Sequence, residues 1–291
     1  MTLEYLIENK DITELSNFKT KAKARYYYEI NNTDDVKNLS EIYLYAKLNN
    51  YKILFIWWWT NLLFAFDIFE WIVINNCLQW WTYDNNILEA YSNELISDIA
   101  LSLYNDWQEL WKRFIWLPWS VWWAVFWNAW CFGLETENNF IESEVLNLET
   151  WNICVLKKED MHFEYRNSRI KKEWIYFIIK SKCDLSKVIE KYSSDVDNIH
   201  FREHKQPKGN TCGSFFKNPS KESSAWMLIE QAWLKWKIIW WALFSDKHAN
   251  FLMNNWDAWY KDLLNLINLA KEEVKNKFNI ELVPEVRIIT N

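Results

Sequence analysis

The chain contains the stretch FIWLPWSVWWAVFWNAW at residues 114–130 and a shorter relative, IWWWTNLL, at residues 56–63. Between the tryptophans stand polar residues such as Thr60, Asn61 and Ser120, which are typical of turns and helix starts. A sharp turn after a strand needs a backbone with φ > 0 and no Cβ, which glycine provides and tryptophan does not. We therefore interpret most of these tryptophans as occupying positions where the working protein has glycine.

The amino-acid composition supports this interpretation. The 291 residues include 23 tryptophans and 3 glycines, whereas glycine alone makes up about 7% of an average protein. Some bacterial genetic codes translate UGA as glycine and others as tryptophan, so a gene of the first kind translated with the second code would show this pattern. On this hypothesis, Trp111 and one of Trp80 and Trp81 are genuine tryptophans.

The charge and the cysteines limit the classes of protein. The formal net charge is −6 and the pI is about 5.4, so the chain lacks the basic excess expected for binding nucleic acid. Its five cysteines are odd in number and form no CxxC pair, which favours free thiols in a reducing cytosol over a disulfide framework. The N-terminus lacks the apolar region of a signal peptide, and we expect a cytoplasmic protein.

Residues 114–134 are long and apolar enough to resemble a membrane span. However, Pro118, Ser120 and Asn128 interrupt the run, and its apolar character disappears when the tryptophans are read as glycine. We therefore expect no membrane span.

The periodicity of the apolar residues predicts mixed helices and strands. Thr33 followed by two aspartates predicts a capped helix that runs to about residue 50, and Tyr260 to Phe278 keeps the 3.6-residue period of an amphipathic helix. The polar run at 193–210 is the best candidate for a junction between domains. The other predicted elements are a strand ending at 26–28, strands at 52–56, 174–180 and 283–289, and helices at 94–104 and 184–194.

The loops at 57–61 and 116–130, read with glycine, would offer successive backbone N–H groups to a pyrophosphate. Thr60, Asn61 and Ser120 would add side-chain donors. The alternative is two tight turns that pack against a sheet, and the residues alone leave both interpretations open.

Ser214 lies in the segment CGSFFKNP, with Lys217 and Asn218 just after it and Lys205 upstream. A hydroxyl flanked by lysines could present an anion-binding site to a phosphorylated substrate. The alternative is a strand whose two phenylalanines pack on opposite faces while the lysines are solvated.

Arg166 and Glu285 are single charged residues in mixed or apolar surroundings, where a charge is usually at the surface or paired. Together they could stabilise the enolate of a carboxylate-bearing substrate, the arginine by its charge and the glutamate, if protonated, by a hydrogen bond. His200 and His204 have helical spacing, but no third ligand stands nearby, so we expect no metal site.

Six segments of the chain resemble the UDP-N-acetylenolpyruvoylglucosamine reductase family, also called UDP-N-acetylmuramate dehydrogenases, when tryptophan is read as glycine. The similarity extends over nearly the whole chain. Three of the segments, YRNS, GSFFKNP and PEVR, contain no tryptophan, so the resemblance does not depend on the glycine interpretation. With glycine, the segments are IGGGTNLL at 56–63, GLPGSVGGAVFGNAG at 116–130, YRNS at 165–168, GSFFKNP at 213–219, SAGMLIEQAGLKG at 224–236 and PEVR at 284–287.

The resemblance implies an α+β fold. An FAD-binding portion of the vanillyl-alcohol oxidase type (PCMH type) would occupy residues 1–192, as two subdomains of about 1–75 and 76–192. A C-terminal α/β substrate-binding domain would occupy residues 193–291.

The resemblance also implies a reaction of peptidoglycan precursor synthesis, in which NADPH reduces noncovalently bound FAD and the enolpyruvyl group of UDP-N-acetylglucosamine-enolpyruvate is reduced to give UDP-N-acetylmuramate. Ser214 would be the proton donor, Arg166 and Glu285 would stabilise the enolate, and Lys205, Lys217 and Asn218 would bind the UDP-sugar. We expect a monomer with this small-molecule substrate. The residues expected to bind FAD are Trp57, Trp58, Trp59, Thr60, Asn61, Leu62, Trp119, Ser120, Val121, Trp122, Trp123 and Ala124.

Two alternatives stay open. Another flavin oxidoreductase of the same fold, such as a lactone or alcohol oxidase, is disfavoured because GSFFKNP and PEVR belong to the substrate end of the family. A tryptophan-rich carbohydrate- or membrane-binding protein would need genuine tryptophans. If the tryptophans are genuine, FAD should not fit, and overpacking of about 1–3 kcal/mol at each of many turns would exceed the stability of a typical protein.

Overall fold

The computed structural model describes residues 3–57, 61–106, 110–115, 117, 119–131, 133–186, 207–220 and 223–291. Helices and strands are mixed along the chain, so the predicted α+β class is confirmed. The strands are β1 (Ile7–Asp11), β2 (Lys23–Ile30), β3 (Ile53–Trp57), β4 (Leu62–Phe64), β5 (Ile68–Asn76), β6 (Trp81–Asp84), β7 (Ile87–Tyr91), β8 (Trp130–Cys131), β9 (Leu134–Glu135), β10 (Phe140–Asn147), β11 (Ile153–Lys157), β12 (Tyr176–Asp184), β13 (Ile238–Ile239), β14 (Ala242–Phe244), β15 (Leu252–Asn254) and β16 (Arg287–Ile289). The helices are α1 (Leu39–Leu48), α2 (Ile96–Asn105), α3 (Val121–Phe126), α4 (Thr136–Asn139), α5 (Arg169–Glu173), α6 (Ala225–Gln231) and α7 (Tyr260–Phe278).

The chain divides into two compact units. The first unit contains residues 1–3, 28–58 and 74–199, and the second contains residues 4–27, 59–73 and 200–291. The second unit therefore combines the C-terminal part of the chain with two segments from its beginning. The expected domain boundary at residues 192 and 193 and most of the expected junction at 193–210 lie outside the described residues.

The first unit contains an antiparallel sheet with the strand order β11-β10-β12-β7-β6. Its central strand β12 has Phe177, Ile178 and Ile179 buried. In the following residues the period of two places lysines on the exposed face, where Lys180 forms an ion pair with Glu89 at 2.7 Å. The predicted strand at 174–180 is thus present but begins later, at Tyr176.

The predicted helix after Thr33 begins differently from the expectation. A 3₁₀-helix (Asp35–Asn38) precedes α1, and the side-chain oxygen of Asn32 accepts the N–H groups of Asp34 and Asp35 at 2.9 and 3.2 Å. The predicted cap by Thr33 is therefore wrong, because the asparagine one position earlier forms the local hydrogen bonds.

The second unit is built on α7, whose predicted span of Tyr260 to Phe278 is confirmed. Its buried face packs in one core with Phe215, Phe216 and Ile229. The predicted strand at 283–289 is shorter than expected, because only Arg287–Ile289 pairs with another strand, namely β4, in parallel. The buried residues of α7 are Leu263, Leu266, Ile267, Ala270 and Val274.

Within the described residues, no helix is long and apolar enough to cross a membrane. In the described part of the apolar run at 114–134 the structure has the six-residue helix α3, the two-residue strand β8, the start of β9 and short irregular segments.

Among the residues that the structure describes, five tryptophans have a left-handed backbone conformation. A positive φ is unusual for a bulky residue and costs about 1–2 kcal/mol relative to the right-handed conformation, whereas glycine adopts it freely. The five are Trp151, Trp174, Trp233, Trp236 and Trp240, with φ angles of 60°, 54°, 63°, 69° and 52°.

Trp233 illustrates the conflict between backbone and side chain. It follows α6, where its N–H donates to the carbonyl of Glu230 at 3.0 Å and the N–H of Leu234 donates to the carbonyl of Ile229 at 3.1 Å. These two bonds form the Schellman motif, whose left-handed position is usually glycine. The indole itself is 85% exposed, so it gains little from packing. The conformation favours the glycine interpretation at this position.

Trp111 shows the opposite behaviour. It is 5% exposed, and its ring packs edge-on against Phe114 with centroids 5.4 Å apart. This side chain fills a core, which agrees with its interpretation as a genuine tryptophan.

Substitutions can distinguish the exposed, left-handed position of Trp233 from the buried position of Trp111. We expect Trp233→Gly to raise the Tm by a few degrees, because it removes a left-handed strain of about 1–2 kcal/mol. Trp111→Gly should instead lower the stability by about 3–5 kcal/mol, because it leaves a cavity. Thermal unfolding of both variants tests this, and a Trp233→Gly variant less stable than its parent would contradict the glycine interpretation at that turn.

Candidate functional site

Ser214 lies in a short extended segment of the second unit. Phe215 and Phe216, the residues that follow it, are both buried, and their ring centroids are 4.9 Å apart. Lys217 is exposed, as the strand interpretation of this segment predicted. The segment therefore has both faces covered at the phenylalanines, while Ser214 at its start is partly accessible.

The edges of this segment bring predicted site residues together. On one edge, Ser214 forms an isolated bridge with Phe251. On the other edge, the N–H of Glu285 donates to the carbonyl of Phe215 at 2.8 Å. Ser214 and Glu285 are distant in sequence, but both are thus attached to one short extended segment, residues 214–217. We call this segment the Ser214 strand.

Asn61, at the end of the first predicted FAD loop, lies beside Glu285. The N–H of Arg287 donates to the carbonyl of Asn61 at 2.9 Å, and the Asn61 side-chain amide donates to the carbonyl of Glu285 at 3.4 Å. The Asn61 Oδ1 atom is buried and has no hydrogen-bond partner. Leu62 continues into β4, where it pairs with Arg287. Within the second unit, the residue with the partnerless oxygen, Asn61, is therefore hydrogen-bonded to the predicted catalytic residue Glu285.

The remaining predicted residues around this half of the site are placed as follows. The exposed Asn218 accepts the N–H of Ala225 through its Oδ1 at 3.0 Å, so it also supports the start of α6. Trp57 ends β3. Lys205 and the loop residues Trp58, Trp59 and Thr60 lie outside the described residues.

The second predicted FAD loop belongs to the first unit. Ser120 is buried and caps α3, since its hydroxyl accepts the N–H of Trp123 at 3.4 Å. The N–H groups of Val121 and Trp122 donate to the carbonyls of Glu94 and Ser92, each at 2.8 Å. With tryptophan in the loop, these two N–H groups therefore donate to carbonyl groups of the protein itself.

The same loop is filled by side chains. Val121, Trp122 and Ala124 are buried, and the Trp122 ring packs 5.2 Å from the ring of Phe177. Trp119 lies over the guanidinium of Arg166 at 5.2 Å.

Arg166 stands at the tip of a tight turn in which Glu164 and Asn167 pair with each other. Its φ is 57°, and its carbonyl accepts a hydrogen bond from Lys171 Nζ at 2.9 Å. The Nη1 atom of Arg166 is buried without a hydrogen-bond partner. A buried guanidinium nitrogen with no partner is costly, which suits a site that receives an anionic group.

Two residues that the sequence did not single out for this role hold the turn. Buried Asn128 donates to the Glu164 carbonyl at 3.2 Å, and buried Ser168 donates to the Phe126 carbonyl at 2.8 Å. These bonds attach the Arg166 turn to the end of α3. The sequence signals that could have indicated this are the polar Asn128 within the apolar run at 114–134 and Ser168 two residues after Arg166.

A predicted site residue in each unit has a buried polar atom without a partner. Asn61 Oδ1 in the second unit and Arg166 Nη1 in the first are each suitable for a polar ligand. The indole side chains at the loops are incompatible with bound FAD, because a backbone that approaches a pyrophosphate closely must lack large side chains. The residues therefore fit FAD when Trp57, Trp119 and Trp122, together with their tryptophan neighbours, are glycine.

The cysteine nearest to Ser214 in sequence, Cys212, has an unreactive thiol. Cys212, two residues before Ser214, is close to the Leu62 carbonyl, and burial raises the pKa of the Cys212 thiol to about 12. None of the five cysteines forms a disulfide, as expected.

Comparison with known proteins reveals relatives over the full length of the chain. A family profile, "UDP-N-acetylenolpyruvoylglucosamine reductase, C-terminal domain", matches residues 205–289. The UDP-N-acetylenolpyruvoylglucosamine reductase of Caldicellulosiruptor bescii is 30% identical, over 99% of this chain and 91% of its own length. That of Fervidobacterium nodosum is 36% identical over 59% of this chain and 56% of its own. The crystal structure of UDP-N-acetylenolpyruvylglucosamine reductase from Thermus caldophilus matches with a TM-score of 0.74 at 21% identity, covering 98% of this chain and 100% of that chain.

These similarities first define the class, which is that of FAD-dependent oxidoreductases. Within this class, the chain belongs to the UDP-N-acetylenolpyruvoylglucosamine reductase family, because a 30% identical relative is matched over nearly its whole length. The resemblance inferred from the motifs is confirmed. The interpretation as a tryptophan-rich binding protein has no support in these comparisons.

The raised pKa of Cys212 predicts its reactivity. Because the thiolate is the reactive form, a thiol pKa raised by burial from its ordinary 9.0 to about 12 lowers the thiolate population at neutral pH by about a thousandfold. We expect iodoacetamide to leave Cys212 unmodified in the folded protein until the pH approaches 12, and to modify it after unfolding in urea. Peptide mass mapping measures this, with the exposed Cys154 as an internal control. Rapid labelling of Cys212 in the folded protein at neutral pH would contradict its burial.

Proposed function

We propose that this chain reduces UDP-N-acetylglucosamine-enolpyruvate to UDP-N-acetylmuramate, with NADPH and noncovalent FAD, in peptidoglycan precursor synthesis. The observation that carries the proposal is the attachment of Ser214 and Glu285 to one strand, in the two tryptophan-free motifs GSFFKNP and PEVR. This attachment supports the proposal that one substrate meets both a proton donor, Ser214, and a carboxyl group, Glu285.

The reaction adds a hydride and a proton across the carbon–carbon double bond of the enolpyruvyl group. When bound, FAD reduced by NADPH would supply the hydride for the methylene carbon. Ser214 holds the proton for the adjacent carbon, which carries the carboxylate. A positioned acid of this kind typically contributes about 10²–10⁴ in rate.

Arg166 stabilises the negative charge that develops on the substrate carboxylate as an enolate forms. Its Nη1 atom is buried without a partner, so an anionic oxygen would form a charge-assisted hydrogen bond there. Glu285, if protonated, donates a hydrogen bond to the same enolate.

Substrate binding uses the polar residues around the Ser214 strand. Lys217 is exposed next to the buried phenylalanines, and Asn218 follows it, so both are accessible to the diphosphate and sugar of a UDP-sugar. Lys205 joins them in this proposal. In this proposal the enzyme acts as a cytoplasmic monomer.

Flavin binding tests whether the loop tryptophans replace glycines. We expect the chain with glycine at positions 57, 58, 59, 119, 122 and 123 to be purified yellow with bound FAD, because its backbone can then approach the pyrophosphate. The chain as written should bind FAD much more weakly. Flavin absorbance and fluorescence titration measure the difference.

A matched control changes six other tryptophans to glycine. The exposed residues Trp226, Trp233, Trp236, Trp240, Trp241 and Trp256 all lie outside the two loops. Their substitution should leave FAD binding weak. Equal FAD affinity of the chain as written and the loop variant would overturn the glycine interpretation of the loops.

The two half-reactions test the residue roles in the FAD-binding protein. In rapid mixing, we expect Ser214→Ala and Arg166→Met to leave the reduction of FAD by NADPH unchanged. Both should slow the reoxidation of reduced FAD by UDP-N-acetylglucosamine-enolpyruvate by about 10²–10⁴, because protonation or charge stabilisation is lost. Ser220→Ala, at an exposed serine of the same unit, is the control. Normal reoxidation of the Ser214→Ala variant would exclude Ser214 as the proton donor.

A further inference from the structure

We propose that Asn250 is a positioning residue that holds Ser214 and Glu285 in register for proton transfer, an inference that rests on the function proposed above. Asn250 is 2% exposed and lies beside the strand that begins at Ser214. Its side chain bonds to the backbone of this strand rather than to the predicted catalytic groups, so it would act through them.

Asn250 satisfies three backbone groups of Phe215 and Phe216. The N–H of Phe215 donates to the Asn250 carbonyl at 2.7 Å. The N–H of Phe216 donates to Asn250 Oδ1 at 2.9 Å, and Asn250 Nδ2 donates to the carbonyl of Phe216 at 2.8 Å. A short amide side chain supplies the required acceptor and donor together, and thereby replaces the backbone of a neighbouring strand.

The opposite edge of the strand carries the segment with Glu285. The carbonyl of Phe215 accepts the N–H of Glu285 at 2.8 Å, and the N–H of Lys217 donates to the carbonyl of Val283 at 2.9 Å. The Ser214 strand therefore holds Glu285 through hydrogen bonds on one side, and Asn250 holds the strand itself on the other side. Displacing the strand would move Ser214 and Glu285 relative to a bound substrate.

Asn250 is itself held in a tight turn. Its N–H donates to Nδ1 of His248 at 3.3 Å, and the N–H of Phe251 donates to the His248 carbonyl at 2.9 Å. Phe251 then bridges to Ser214. Asn250, through His248, and the residue after it, Phe251, are thus both held by contacts. These contacts fix the direction of the Asn250 side chain.

Asn254 provides a matched control, because it is equally buried and also bonds to backbone groups with its side chain. It is 2% exposed, its Nδ2 donates to the carbonyl of Phe18 at 2.7 Å, and its Oδ1 accepts the N–H of Ala258 at 2.8 Å. These bonds are to Phe18 and Ala258 and not to the backbone of the Ser214 strand, although the ring of Phe18 packs against Phe215 in the shared core. Loss of either asparagine side chain should destabilise the fold, but only loss of Asn250 should disturb proton transfer.

The experiment compares Asn250→Ala and Asn254→Ala in the FAD-bound protein with glycine at the loops. We expect Asn250→Ala to slow reoxidation of reduced FAD by UDP-N-acetylglucosamine-enolpyruvate by about 10²-fold, the effect of a misplaced reacting group. Reduction by NADPH should be unchanged. Asn254→Ala should lower the Tm and leave both half-reactions unchanged.

A graded variant keeps the test informative if alanine prevents folding. Asn250→Asp retains an acceptor for the Phe216 N–H and loses the donor to the Phe216 carbonyl, so its reoxidation rate should lie between those of the parent and Asn250→Ala. Parental reoxidation rates in the folded Asn250 variants would overturn the inference while leaving the proposed function intact. A parent protein that reduces its FAD with NADPH but is not reoxidised by the substrate would instead refute the proposed function.

Discussion

Phe215 and Phe216 are adjacent in an extended segment, so their side chains point to opposite faces, and both are buried. This double burial is the constraint on which the site in the second unit depends. A slip of the segment by one residue would move Ser214 toward the core and a phenylalanine toward solvent. Exposing one buried phenylalanine costs about 1.5–3 kcal/mol, so the register is strongly determined. The edges of the fixed segment then locate Glu285 and Asn250.

The first unit fixes Arg166 by a different means. Its turn is short and has a left-handed residue at the tip, and such a turn does not hold a side chain in place by itself. Buried Asn128 and Ser168 connect the turn to the backbone around α3, and Lys171 bonds to the carbonyl of Arg166. The cost of burying these polar groups is offset because their hydrogen bonds are satisfied.

Two contrasting environments occur among the described tryptophans. Trp111 is buried against another aromatic ring, whereas Trp233, Trp236 and Trp240 are exposed in left-handed conformations. A large apolar side chain in the second situation has both backbone strain and exposed surface, and neither is compensated by packing. Glycine at these positions would remove both costs, which is the physical reason that the glycine interpretation agrees with the fold.

The helix Tyr260–Phe278, the α+β class and the family motifs without tryptophan could be predicted from the sequence. Each depends on local information: the spacing of apolar residues, the mixture of periods, and the chemical identity of a few neighbours. The start of α1 was misjudged because two residues, Thr33 and Asn32, are both suitable caps and only the folded backbone selects between them.

The tertiary structure alone decided which residues meet. The parallel pairing of β4 with β16 shortens the predicted strand at 283–289 and places Asn61 beside Glu285. The inclusion of residues 4–27 and 59–73 in the second unit and the contact of Asn250 with the Ser214 strand have the same origin. These features depend on hydrogen bonds and burial between segments far apart in the chain. A local pattern fixes the type of each segment but leaves its partner undetermined, because many pairings satisfy the same period.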